Sequence, residues 1–354
     1  MQPWKSSLSP FAPFAPQELT AKVPEAGMCL GKGNMKTTAN NPKSNKLPAG
    51  IEDENLVKAI LSSGYPLQGV VARKLSKQFT ITEEWGFIDR DSQDHRSLDV
   101  VAYKPLYNDS CNSIHPGLFL LIECKRTNHP FIFFRNVTEK SIPGFPSISG
   151  LINRRVSIHN QAGNSSTEAH GCDALGLGEH DFIKTMPPRC SAFSKAVPSG
   201  KRVELSGTDP FNSIVLPLVK AIDHAFQLQK VDSRPARLFP ILLLCITVLD
   251  APIVLVESPE LASEPVLAPW VRIVRQEASQ GTQRLEPYRY YAIDAVHIDF
   301  FDEFINNHLM PFAEEYGRRA IAFEDILMNG GEVPNISNWQ WNDIKPRTKA
   351  KAAV

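Results

Sequence analysis

The chain has 354 residues, of which 42% are hydrophobic, and both values are ordinary for a globular protein with one large domain or two small ones. Lysine plus arginine and aspartate plus glutamate number 38 each, so the formal net charge is zero. This balance excludes a global positive field of the kind that marks many nucleic-acid-binding proteins, and a polyanion would need a local patch.

The cysteines and the apolar runs indicate the compartment. The six cysteines are too scattered for a small secreted domain held by disulfides, so a reducing cytoplasm is the expected location. The N-terminus lacks the charged-then-apolar layout of a signal peptide. The longest apolar run, 241–256, contains Asp250 and Pro252, and it predicts two buried strands joined by a turn rather than a membrane span.

The first elements in chain order are a tail, two helices and three strands. Residues 1–50 are rich in Pro, Ser, Asn and Lys without a helical or strand period, and we expect them to be disordered. Apolar residues at helical spacing predict helices over 52–61 and 66–77. Alternating or continuous apolar residues then predict strands over 79–88, 97–103 and 118–125. The third strand is apolar almost throughout, which is typical of a central strand covered on both faces.

The second half of the chain begins with a change of composition. Residues 136–207 are rich in Ser, Gly, Asn, Pro and His, and they are interpreted as a long irregular insertion or lid. Regular patterns return as a helix over 210–229, strands near 239–248, 252–257, 270–276 and 288–294, and a helix over 300–316. Residues 329–354 form a C-terminal basic tail. The pattern predicts one α/β domain, 51–135 and 208–328, split by the insertion.

Polar side chains stand together at the end of the third predicted strand. Side chains alternate across a strand, so Glu123 and Lys125 project from the same face while Cys124 faces away. A carboxylate and an ammonium at the end of a buried strand are costly unless each has a partner. Asp99, on the preceding strand, can supply a second carboxylate if the two strands are neighbours.

Two converging carboxylates predict a metal site. They repel each other unless a hard cation lies between them, and oxygen ligands suit Mg²⁺ or Mn²⁺. With a phosphodiester bound, such a cation would polarise a phosphoryl oxygen, while Lys125 would orient the attacking water or stabilise the developing charge. A Glu-x-Lys pair alone is commonplace on solvated strands; the apolar run before it and the upstream Asp99 favour the functional interpretation.

Asp99 and the Glu123-Cys124-Lys125 tripeptide resemble the motifs of the PD-(D/E)XK nuclease superfamily, over residues 54–134. The resemblance implies a restriction-endonuclease-like central mixed β-sheet flanked by helices, and an Mg²⁺-dependent nuclease that most simply acts on DNA. In that family an acid or amide from the helix before the first core strand often joins the site, and Gln68 is the residue here that matches it. Leu98 replaces the proline before Asp99, a departure that the family tolerates. Because the helix position holds the amide Gln68 rather than an acid, a one-metal mechanism is the cautious inference. The same resemblance allows a homodimer.

Other residues near the motif are candidate ligand contacts. Lys74, Arg96 and Arg126 could meet phosphates, although each is more commonly a solvated charge. Trp85 could stack on a base, although an aromatic residue in a strand is more often core packing. The insertion contains ligand types for zinc at a spacing that matches no compact finger: His170, Cys172, His180 and Cys190.

Two functions fit these patterns. The first is a metal-dependent nuclease with Asp99 and Glu123 as ligands, Lys125 as the cation and Gln68 assisting. The second is a catalytically inactive module on the same fold that binds nucleic acid or a protein, in which Glu123 and Lys125 form only a structural ion pair. Zero net charge favours the second, and the retention of two acids and a lysine at a strand end favours the first.

Overall fold

The structure is a computed structural model that describes residues 36–107, 112–136, 142–153, 155–159, 166–185, 187–231, 236–257, 264–278, 288–328 and 332–333. Most of the predicted N-terminal tail, residues 1–35, and nearly all of the predicted basic tail lie outside these residues. The chain divides into two compact units, Met1–Pro66 and Leu67–Val354. In the described part of the chain, no helix is both long and apolar enough to cross a membrane.

The helices follow the predicted positions closely. The helix predicted over 210–229 begins with a short α-helical turn, Thr208–Pro210, and a π-helical turn, Phe211–Val215, which lead into its main part. The last predicted helix contains a similar π-helical turn at Phe304–Leu309. The bounds are α1 Asp53–Ser62, α2 Tyr65–Leu75, α3 Gly171–Ala174, α4 Asp181–Lys184, α5 Thr208–Pro210, α6 Leu216–Leu228, α7 Phe301–Glu303, α8 Met310–Ala322 and α9 Glu324–Met328.

The strands form one large sheet and one small sheet. The bounds are β1 Thr80–Ile88, β2 His95–Pro105, β3 Gly117–Arg126, β4 Phe131–Arg135, β5 Ser147–Ser149, β6 Arg155–His159, β7 Ser166–His170, β8 Arg189–Ser199, β9 Arg202–Ser206, β10 Ile241–Asp250, β11 Ile253–Val256, β12 Val266–Leu267, β13 Trp270–Ala278, β14 Tyr288–His297 and β15 Glu332–Val333. The large sheet has the order β1-β2-β3-β10-β14-β13-β8-β4-β11-β12, with β5 paired to β10 and β9 paired to β8. The small sheet has the order β15-β6-β7.

The predicted fold class is confirmed at the level of an α/β protein with a large mixed sheet flanked by helices. Strands β1, β2 and β3 form an antiparallel meander, and β10 then lies parallel to β3. Parallel neighbours need a crossover connection, and α6 lies in the segment between β3 and β10. Nearly every residue of β3 and β10 is buried, which is typical of central strands covered on both faces.

Different helices cover the two faces of this central sheet. On one face, alternate residues of β3 such as Ile122 and Cys124 belong to a core cluster with α2 and α8. On the other face, Cys245 of β10 contacts the backbone carbonyl of Leu218 in α6, and Cys245 pairs in register with Leu121 of β3. Because side chains alternate along β3, Glu123 faces the α6 side together with Leu121.

The prediction of an irregular insertion over 136–207 is wrong for the part that the structure describes. Strand β8 lies inside the large sheet between β13 and β4, and β5 pairs with β10. The buried guanidinium of Arg272 bonds to Asp294 at 2.8 Å and to the backbone carbonyl of Phe182 at 2.7 Å, so the segment is also anchored to β13 and β14. The polar composition concealed these strands because β8 buries only about every third residue.

Candidate active site

Antiparallel pairing of β2 with β3 places Asp99 opposite Glu123. The last ladder pair before the site is Val100 with Ile122, and Asp99 and Glu123 occupy the next positions. The prediction that the two strands are neighbours is therefore confirmed. The two carboxylates are close enough for the charge of Asp99 to raise the pKa of Glu123.

The Asp99 carboxylate lies against the backbone of β3. Its Oδ2 accepts a hydrogen bond of 2.6 Å from the amide of Cys124. In a regular ladder, that amide would donate to a backbone carbonyl of the neighbouring strand. Burial raises the pKa of Asp99, and the nearby Glu84 carboxylate adds to this rise, while the Cys124 amide and the Lys125 ammonium oppose it. The hydrogen bond leaves the other carboxylate oxygen, Oδ1, for a further partner.

Glu123 is the most buried acid of the site, with 5% of its surface exposed. Its Oε1 accepts from Lys125 Nζ at 2.5 Å, and its Oε2 is buried without a hydrogen-bond partner among the described residues. The pKa of Glu123 is raised to about 7, because burial and the charges of Asp99 and Glu84 together outweigh the opposing effect of Lys125. An orphaned carboxylate oxygen in such a position is costly unless a cation or a proton satisfies it.

Lys125 extends from the same face of β3 as Glu123, as predicted, and its ammonium is partly exposed. Burial opposes its charge, but the carboxylates of Glu123 and Asp99 prevail and raise its pKa. Lys125 therefore remains protonated at neutral pH. It can donate hydrogen bonds and stabilise negative charge, but it cannot act as a general base there.

Thr247 continues the row of polar residues into β10. It pairs in register with Glu123, its side chain is fully buried, and its Oγ1 has no hydrogen-bond partner among the described residues. A hydroxyl at this position could bond to Glu123 or to a bound water. The sequence suggests nothing for Thr247, because a lone threonine in an apolar strand is normally a packing residue.

Glu84 is a third carboxylate that sequence reasoning missed. It lies on β1 between the ladder pairs Glu83–Val100 and Trp85–Leu98, opposite Asp99. Its φ of 50° lies in the left-handed region, which is rare for a residue with a side chain. Ile81 packs against the α2 side, whereas Trp85 contacts Phe119 and His224 on the α6 side. The pleat of β1 therefore reverses at Glu84, beside the site.

Gln68 does not join the carboxylates. It is buried on α2, whose apolar residues pack with Ile122 and Cys124 on the opposite face of the sheet from Glu123. The buried position expected for Gln68 is confirmed, but the face of the sheet that α2 covers is not the face from which Glu123 projects. Helical periodicity indicates which side of a helix is buried, and it cannot indicate which face of a sheet that side will cover.

The three candidate phosphate contacts all pair with carboxylates. Lys74 contacts Asp302, Arg96 contacts Asp89 at 2.7 Å, and Arg126 contacts Asp250 at 3.0 Å. Lys74 also lies on α2, away from Glu123. Trp85 is a packing residue that touches Phe87, Phe119 and His224. The structure thus places no isolated positive patch of these residues beside the site.

The described residues contain no group of three or more His, Cys, Asp or Glu side chains arranged to hold a metal ion. Of the four residues considered as zinc ligands, His170 and Cys172 lie together on the wall of one cavity. His180 instead accepts a hydrogen bond from the Phe182 amide, and Cys190 is buried in β8. A cation at the candidate site would therefore rely on Asp99 and Glu123, with water completing its shell.

Comparison of the chain with models of known protein families, with curated proteins and with solved structures yields no match. The likeness to PD-(D/E)XK nucleases consequently depends on the residues themselves: the opposed acids, the lysine two positions on, and the mixed sheet that holds them.

Proposed function

We propose that this protein is a metal-dependent phosphodiesterase of the PD-(D/E)XK type, a nuclease that most simply acts on DNA as an endonuclease. One observation carries the proposal: the buried Glu123 carboxylate, opposite Asp99, has one oxygen on Lys125 and the other without a partner. Nothing in the packing of the strands requires two acids at adjacent register positions, and their mutual repulsion costs stability.

The residues present fit a hard divalent cation. Asp99 and Glu123 would hold Mg²⁺ or Mn²⁺, since both offer carboxylate oxygens and the Oε2 atom of Glu123 has no hydrogen-bond partner among the described residues. When bound, such a cation polarises a phosphoryl oxygen and lowers the pKa of a coordinated water. The Cys124 amide keeps the Asp99 carboxylate oriented through its hydrogen bond.

Lys125 supplies the positive charge that phosphodiester cleavage needs beside the acids. Because its pKa is raised, its ammonium can orient a water by donation and can stabilise the charge that develops on the phosphoryl oxygens. Its present contact with Glu123 keeps it within reach of any group bound between the carboxylates. Trp85 of β1 and His224 of α6 pack against each other on this face of the sheet.

A second function is favoured by a different observation. Lys125 and Glu123 form a close ion pair, and Arg96 and Arg126 are also paired with acids. In this interpretation the fold is a catalytically inactive module that binds nucleic acid or a protein, and the ion pair only stabilises a strand end.

A cleavage assay separates the two functions. Supercoiled plasmid, single-stranded DNA and RNA are incubated with protein in Mg²⁺, in Mn²⁺ or in EDTA. We expect metal-dependent cutting that falls by a factor of about 100 or more in Asp99→Asn and Glu123→Gln. Lys104→Met, on the same sheet but outside the site, is the control for loss of a lysine. Cutting that persists in both acid variants would overturn the site assignment, and absence of cutting with every substrate and metal would favour the binding module.

A further inference from the structure

The hairpin of β8 and β9 extends beyond the large sheet. Strand β4 pairs with β8 only as far as Lys195, which lies opposite Phe131. From that position onward, β8 pairs only with β9 among the described strands. Gly200, whose φ is 62°, and Lys201 form the tight turn between the two strands. This two-stranded segment, residues 195–206, is called the ribbon below, and it is roughly 14 Å long.

Both faces of the outer part of the ribbon are open to solvent. Every residue of 198–205 is exposed, although side chains alternate between the two faces of a strand. Val203 and Leu205, which share one face, are 69% and 55% exposed. A two-stranded hairpin that buries neither face adds little to the stability of a core. The ribbon is therefore an arm that is available for contact with a partner.

Positive charge is concentrated at the tip of the ribbon. The side chains of Lys201 and Arg202 have no ion pair or hydrogen bond among the described residues. Lys195, at the base, is paired with Asp209, and Glu204 is the single acid of the ribbon. The three cations considered above as phosphate contacts are all paired with acids. The ribbon tip thus offers two adjacent cations that a polyanion could bind without first breaking an ion pair.

The ribbon begins beside the connection that follows the motif lysine. The Ala196 amide bonds to the Pro130 carbonyl at 2.9 Å, so β8 runs past the start of β4. Phe131, at the base of the ribbon, follows Lys125 by six residues, so their Cα atoms are at most roughly 21 Å apart. About six base pairs of duplex DNA cover the same length. A duplex with a phosphodiester at the candidate site can therefore reach the ribbon.

We propose that the ribbon binds the major groove of duplex DNA, with Lys201 and Arg202 on the phosphates beside the groove. The major groove admits a two-stranded ribbon of this kind. The two cations supply local positive charge, which a chain of zero net charge needs in order to bind a polyanion. The exposed Val203 and Leu205 suit apolar contacts with thymine methyl groups. The inference rests on nucleic acid as the substrate of the proposed function, but it does not depend on cleavage.

Fluorescence anisotropy of a labelled DNA duplex in EDTA tests the inference without cleavage. In the double variant Lys201→Gln/Arg202→Gln, we expect the affinity at low salt to fall by a factor of about 10. The slope of log affinity against log salt should fall in magnitude by about 2, because two phosphate contacts are lost. Glu204→Gln should bind the duplex more tightly, since one repulsive charge is removed from the ribbon.

The matched control is the double variant Arg73→Gln/Lys77→Gln. Both residues are exposed cations, on and directly after α2, which covers the opposite face of the sheet from Glu123. This variant should bind the duplex like the wild type. Equal losses in the two double variants, or wild-type affinity and slope in Lys201→Gln/Arg202→Gln, would overturn the inference. Binding of single-stranded DNA without binding of the duplex would also overturn it.

A second copy of the chain is the competing occupant of the ribbon, since Val203 and Leu205 could pack in a dimer. Sedimentation of the wild type and of Leu205→Gln separates the two occupants. A wild-type dimer that dissociates in Leu205→Gln, with unchanged affinity for the duplex, would contradict the inference. Asp99→Asn should bind the duplex normally. A wild type that binds the duplex through the ribbon but cuts no substrate would therefore refute only the nuclease proposal and would support this one.

Discussion

The electrostatic strain of the candidate site is concentrated at Glu123. Its burial and its proximity to Asp99 and Glu84 disfavour the charged form, while Lys125 favours it. The raised pKa of Glu123 indicates that the unfavourable effects prevail. In a simple ion pair the pKa of the acid would be lowered. The raised pKa of Glu123 therefore distinguishes this site from such a pair.

The pH dependence of stability follows from this shift. The folded-state pKa of Glu123 is about 7 against an ordinary value of 4.5, so the folded protein holds a proton that the unfolded chain releases between these values. Stability is therefore highest below pH 4.5 for this group and is lost as pH rises toward 7, by up to about 1.4 kcal/mol per pH unit. Denaturant unfolding in EDTA should show this slope as a difference between the wild type and Glu123→Gln. A constant difference over this pH range would contradict the shift.

Glu84 should contribute to the same titration. Removing its charge in Glu84→Gln should lower the pKa of Glu123, because one repulsive carboxylate is lost. The matched control is Glu83→Gln, since Glu83 pairs with Val100 and lies on the α2 side of the sheet. Carbon-detected NMR of the labelled glutamate carboxyls gives the midpoints. Equal shifts in both variants would show that Glu84 has no specific proximity to the site.

At this scale the sequence predicted the opposed acids and the lysine but neither Glu84 nor Thr247. Strand alternation is enough to predict that Glu123 and Lys125 share a face of β3. The antiparallel pairing of two consecutive strands is enough to predict that Asp99 lies near them. The presence of Glu84 beside the site depends on the exact register of β1 against β2 and on the left-handed backbone conformation of Glu84. Thr247 depends on the pairing of β3 with β10, more than a hundred residues along the chain. Such long-range register cannot be inferred from a local pattern.

At the scale of elements, the strands within 136–207 change the interpretation of the middle of the chain. Strand β5 pairs with the start of β10, and β8 lies in the sheet between β13 and β4. The described part of this segment thus belongs to the folded sheet and is not a lid over it. Continuous apolar strands such as β3 were predictable, whereas β8 contains Ser, Lys and Arg and depends on its neighbours for burial.

The junction between β5 and β10 offers a test of this interpretation. Gly150 has a φ of 71°, and a Cβ there would come within 2.1 Å of the Phe239 carbonyl oxygen. Gly150→Ala should therefore destabilise the whole protein by about 3 kcal/mol or more. Gly86→Ala, in β1, is the control because a Cβ there meets nothing within 4 Å. If thermal unfolding shows equal stability for the two variants, the β5 junction is not integral to the fold.

At the scale of the whole molecule, the zero net charge limits how nucleic acid could be bound. Arg96 and Arg126 are already paired with acids, so few cations near the site can release counterions from phosphates. Affinity for DNA in EDTA should therefore depend weakly on salt. We expect a slope of log affinity against log salt of magnitude below about 3, measured by fluorescence anisotropy. A slope near 10 would reveal a basic surface beyond the candidate site.

The account as a whole depends on Asp99, Glu123 and Lys125 acting together on a phosphodiester bond. Lys125→Met separates binding of the cation from the chemistry, because the proposal assigns the cation to Asp99 and Glu123 and not to Lys125, which contacts Glu123. Plasmid cleavage in Mn²⁺ is measured beside Mn²⁺ binding by electron paramagnetic resonance on the same samples. We predict that the wild type cuts and binds Mn²⁺, and that Lys125→Met still binds Mn²⁺ but loses cutting by a factor of about 100. Cutting at the wild-type rate by Lys125→Met, or no Mn²⁺ binding by the wild type, would contradict the account.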